Sequence, residues 1–125
     1  MSSKDMMIVG AISGAVAVIL GAFGAHFLAE IMTDKEMANF KTAGQYHFIH
    51  SFLMIFSGYY YRRHPKRAII KYAGVTLLAG ILLFCFSLYL YAIIDGKWLT
   101  ILTPVGGISF TISWILLALG FMQKD

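Results

Sequence analysis

His47 and His50 lie three residues apart in "FKTAGQYHFIHSF", residues 40–52, with Phe48, Ile49, Phe52, Leu53 and Met54 around them. Imidazole titrates near neutral pH, both donates and accepts hydrogen bonds, and ligates metals. Two such rings in an apolar stretch therefore call for a reason. A third histidine, His26, precedes Glu30 by four residues, which puts the two side chains about 40° apart around a helix. Three chemistries are open to this set: hydrogen bonding between helices, proton or small-solute handling, and metal ligation by His26, Glu30, His47 and His50.

The elements that must position them follow from composition. Of 125 residues, 59% are hydrophobic and 13% charged. A soluble chain this short cannot hide so much apolar surface, so lipid is the expected solvent. Four apolar runs of spanning length occur, at about 6–29, 42–61, 69–94 and 104–122. The expected fold is all-α, a single four-span transmembrane bundle over residues 1–125. Lys4, the apolar run and "AFGA" loosely resemble a cleavable leader, but the first run is read as a retained helix.

With the N-terminus inside, seven Lys and Arg face inward: Lys4, Arg62, Arg63, Lys66, Arg67, Lys71 and Lys124. Lys35, Lys41 and Lys97 face outward, with Glu30, Asp34, Glu36 and Asp95. This balance predicts both termini in the cytoplasm of a multi-pass cell-membrane protein. The basic flank of Arg62, Arg63, Lys66, Arg67 and Lys71 explains the net charge of +4 without nucleic acid. Membrane lipids are the expected partners, with a homo-oligomer or another membrane protein as further possibilities. Lone Cys85 forms no internal disulfide.

Small residues mark where helices approach in lipid. Gly10, Gly14, Gly21 and Gly24 crowd the first span, which predicts a central helix with Gly14 and Gly21 at its tightest contacts. Gly106 and Gly107 permit close approach at the start of the fourth. There Thr103 suits a helix cap and Pro104 the first helical position.

The polar residues of all four runs fall toward the outer side: His26, Glu30, Tyr46, His47, His50, Ser87, Tyr89 and Thr103. Ionisable residues within spans face the bundle interior or a watery cavity. The two histidines should thus turn inward, toward His26 and the fourth helix. No nucleophile elbow, phosphate-binding glycine loop or H-E-x-x-H zinc signature is present, so no catalytic set and no cofactor is indicated.

"GAFGAHFL", "FKTAGQYHFIHSF", "LFCFSLY" and "TPVGG" followed by Trp114 resemble, in order and spacing, the small bacterial membrane proteins of domain of unknown function four-two-three. These are similar to the eukaryotic transmembrane protein two-five-six. The resemblance covers nearly the whole chain and implies a four-helix membrane protein with no established activity. Its signature residues here are Gly21, Gly24, His26, Thr42, Ala43, Tyr46, His47, His50, Ser87, Tyr89, Thr103, Pro104, Gly106 and Gly107. Cys85 and Phe86 stand where the family's motif usually has serine and glycine, which implies a tighter pocket.

Overall fold

Ser2 and Thr33 each begin a helix with a capping box. The hydroxyl takes the backbone N–H three residues on, and Asp5 or Glu36 returns the bond to the cap's own N–H. In the computed structural model, which describes residues 1–94 and 96–124, the chain folds into four helices. They are α1 (Ser3–Leu28), α2 (Asp34–Arg63), α3 (Ile69–Ile94) and α4 (Leu99–Met122). Helices α1 and α3 each widen to a π-helical turn, at Gly24–Leu28 and Ile81–Cys85. Asp95, counted above among the outer acidic residues, lies outside the described residues.

Helices α1, α3 and α4 are long and apolar enough to cross a membrane. The fourth helix starts at Leu99, five residues before the expected start. Pro104 therefore sits inside the helix rather than at its first position, and Thr103 is not a cap. The chain enters α4 through 3₁₀-type bonds from Leu99, Thr100 and Ile101 to residues 96–98, and Pro104, lacking an N–H, leaves the Thr100 carbonyl without its usual helical donor.

The interior of the bundle is formed by α2 and α3, not by α1. Helix α2 touches α1 along its length and also packs on α3, whereas α1 has α2 as its main neighbour and α3 has α4. The physical reason lies in α2's polarity. It carries the histidines and serines that hydrocarbon excludes, and it buries His47, His50, Ser51 and Ser57. Helix α1 turns Ile8, Ile12, Val18, Ile19 and Phe23 outward.

The glycine contacts differ accordingly. A side chain at Gly10 would come within 2.7 Å of Ile55 and 2.9 Å of the Ser51 carbonyl oxygen. Gly24 lies against the ring of Phe40, and Gly106 against the backbone of Leu83 and Phe84. Gly14 and Gly107 are loose, with nothing nearer than 3.8 and 3.7 Å, and Gly21 has no neighbour within 4 Å. Gly80 against Phe110 and Gly120 against Ile70 are tight contacts that the first-span pattern did not suggest.

At one end of the bundle the N-terminus, the 62–68 turn and the C-terminus meet. Gly58 abuts Ser3, and Arg67 donates to the Gly120 carbonyl at 3.3 Å. Arg67 also donates to the Tyr60 hydroxyl and lies over its ring. It is only 9% exposed, so it leaves the exposed flank formed by Arg62, Arg63, Lys66 and Lys71. Its charge sits at the C-terminus of α4, where free carbonyls and the helix dipole favour a cation.

Candidate functional site: two histidines locked in opposite tautomers

Each histidine of α2 is held by different helices. His47 is fully buried, and His50 is 4% exposed. Their spacing puts them on neighbouring faces of α2, so one ring reaches toward α1 and α3 while the other reaches toward α4.

The proton on each ring follows from its partners. Ser51 gives its only proton to the His47 carbonyl at 2.7 Å. Its oxygen lies 2.6 Å from Ser13 Oγ, so Ser13 is the donor of that bond. With the Ser13 proton spent, His47 Nε2, at 2.9 Å, donates to Ser13. Nδ1 of His47 then accepts from the Tyr89 hydroxyl at 3.0 Å. The result is one directed chain, Tyr89 to His47 to Ser13 to Ser51, ending on the carbonyl of His47 itself.

His50 is held the other way round. Its Nδ1 donates to the Tyr46 carbonyl at 2.7 Å, and its Nε2 accepts from the Trp114 indole at 3.2 Å. A carbonyl only accepts and an indole only donates, so His50 is the Nδ1–H tautomer and His47 the Nε2–H tautomer. The His50 ring also stacks on Phe110 with centroids 3.6 Å apart, and the Tyr46 ring lies beside this pair, 5.8 Å from His50 and 6.3 Å from Phe110. Phe86 lies 5.5 Å from the His47 ring, occupying the space beside it where the resemblance led us to expect a tighter pocket.

Not all of the polar residues read from the sequence converge. Tyr46, His47, His50 and Tyr89 do. Ser87 and Thr103 bond each other at 2.6 Å, tying α3 to α4 separately from the imidazoles. His26 and Glu30 lie on exposed surface. Gly24 must face Phe40, and His26, two residues on, is roughly half a turn further around the helix, on the opposite side. The possible ligands His26, Glu30, His47 and His50 therefore do not gather, and among the described residues no three His, Cys, Asp or Glu side chains do.

Sequence reasoning passed over Ser13, Ser51 and Trp114 as members of the site. Ser51 had a signal, since it stands four residues after His47 on the same stripe. Ser13 is a hydroxyl between Gly10 and Gly14, where backbones approach. Thr76, Ser109 and Ser113 form a further set between α3 and α4, with Thr76 to Ser113 at 2.7 Å and Ser109 donating to the Thr76 carbonyl at 2.8 Å. Among the described residues every buried side-chain nitrogen and oxygen has a partner.

Long apolar helices enclosing a fully bonded polar interior define a multi-span α-helical membrane protein. A family profile described as "Protein of unknown function (DUF423)" matches residues 20–107. The UPF0382 membrane protein YwdK of Bacillus subtilis is 36% identical over 96% of this chain and 98% of its own length. The UPF0382 inner membrane protein YgdD of Escherichia coli K12 is 37% identical over 98% and 93%. A UPF0382 membrane protein of Staphylococcus aureus is 33% identical over 91% and 92%. The chain belongs to this DUF423/UPF0382 family of membrane proteins, resident in the cell membrane. No solved structure gives a significant match.

Proposed function

We propose that this protein is a structural or interaction component of the cell membrane, and that its two histidines serve as helix locks rather than as carriers or ligands. One observation supports this above the others. All four ring nitrogens are spent on protein groups in a single consistent pattern of donors and acceptors. The chain that starts at Tyr89 closes on a main-chain carbonyl, so it offers a proton no onward acceptor. A proton or metal arriving at either ring must first break a bond that holds two helices together.

In this reading the whole chain is one four-span domain, with α2 crossing as the span that buries its polar face against α1 and α3 and turns Phe48, Ile49 and Phe52 outward. Both termini and the basic turn face the cytoplasm. The charge asymmetry supports that orientation, as does the meeting of the N-terminus, Arg67 and the end of α4 at one end of the bundle.

Proton flux into vesicles provides the test. Purified protein in liposomes carrying an internal pH dye and a potassium diffusion potential should acidify them no faster than empty liposomes do. Flux above that background, abolished by His47→Gln, would replace the structural reading with a proton pathway.

A further inference from the structure

Between the turn-proximal halves of α1 and α2, at the end of the bundle that holds residues 29–33, lies an open cavity of about 320 Å³. We propose that it binds one acyl chain of an anionic phospholipid, with Lys41 holding the phosphate.

Absent side chains make the floor. Gly24 has no room for one, because Phe40 fills its space, but a side chain at Gly21 would meet nothing within 4 Å. No protein group uses the space over Gly21. That space is the cavity, and Ala17 and Gly44 keep it open while Phe40 and Phe48 wall it. Its volume is at the low end for small-molecule sites, which suits a single chain rather than a bulky ligand. An apolar slot within the hydrocarbon layer is filled most cheaply by hydrocarbon, since an empty one forfeits dispersion contacts.

Charge at the mouth selects the headgroup. Lys41 lines the cavity and is exposed, and it has no ion-pair partner among the described residues. Glu36 lines a different hollow, beside Ala92 and Ile93, and its carboxylate accepts from the Thr33 N–H at 2.8 Å. Lys41 is seven residues into α2, about 10 Å from its start, so a flexible stem carries its ammonium to the headgroup level. Gln45, one turn deeper on the same stripe, also lines the cavity. Its amide can donate to an ester carbonyl below the phosphate. A single cation above an apolar slot matches an anionic diacyl lipid, and it does so independently of what the histidines do.

Native mass spectrometry of the wild type, Gly21→Leu and Lys41→Gln reads this out. Each is taken from micelles doped with equal phosphatidylglycerol and phosphatidylcholine. The wild type should retain one lipid and favour phosphatidylglycerol by about fivefold, the scale of one basic residue at a charged surface. Gly21→Leu should lose lipid of both classes yet unfold at the wild-type temperature in lipid-free detergent, because leucine enters vacant space. Lys41→Gln should keep one lipid and lose the preference. Equal lipid retention by Gly21→Leu overturns the proposal, as does a wild type that shows no preference or carries a free fatty acid instead. A dimer that Gly21→Leu converts to monomer without any change in lipid assigns the groove to a second copy. If Gly21→Leu unfolds, the floor was not vacant and the site does not exist.

Discussion

Trp114 on α4 donates its indole N–H to Nε2 of His50 on α2 across 3.2 Å. The ring is the Nδ1–H tautomer because its other nitrogen must serve the Tyr46 carbonyl. His47, one turn away, is the Nε2–H tautomer because the serine chain accepts from it. The polypeptide thus fixes two neighbouring imidazoles in opposite states by choosing their partners.

Nitrogen-15 NMR of histidine-labelled protein should show this directly. At pH 7.5 two of the four histidines should be single neutral tautomers, one protonated at Nε2 and the other at Nδ1. His47→Gln should remove the first set and His50→Gln the second. Two identical tautomers, or fast exchange between forms, would contradict the assignment.

Trp114→Phe should keep the aromatic packing against His50 but leave Nε2 without a donor. Side-chain hydrogen bonds within membranes contribute about 0.6 kcal/mol on average and up to about 1.7. A loss of about 1 kcal/mol in reversible unfolding is expected. Combined with His50→Leu, the two losses should be less than additive, because the second change removes the stranded acceptor. Full additivity would mean that the bond carries no energy.

The glycines should rank by what lies opposite them. Gly106→Ala should be the worst, because the new methyl meets the backbone of Leu83 and Phe84, which cannot rotate aside. Gly24→Ala should follow, since the Phe40 ring can yield in part. Overpacking of this kind costs about 1–3 kcal/mol. Gly21→Ala should stay within about 0.5 kcal/mol of wild type. Thermal unfolding in one detergent gives the ranking, and a damaging Gly21→Ala would refute it.

Orientation can be read with an impermeant thiol reagent on intact cells. Cys85 is fully buried and serves as a silent background. Asp34→Cys should label from outside, and Lys66→Cys, at an exposed position in the basic turn, should label only after lysis. The reverse pattern would invert the proposed topology.

Residence in a membrane, four helices and inward-turning histidines on the second were legible in the residues themselves. Composition demands lipid, helices satisfy their own backbone, and a buried imidazole needs a polar partner. The identity of each partner was not legible. Helical periodicity orders the faces of one helix but does not say which face meets which neighbour. In lipid an apolar face is equally content against a chain or another helix. Small residues on α1 therefore suggested a central helix, yet tertiary packing left α1 at the edge and placed α2, whose serines and histidines hydrocarbon rejects, between α1 and α3. The same packing turned His26 outward once Gly24 was committed to Phe40, and it brought in Ser13 and Trp114 from 34 and 64 residues away. Those pairings are set by which helices touch, and only in the folded bundle does each imidazole acquire a defined proton.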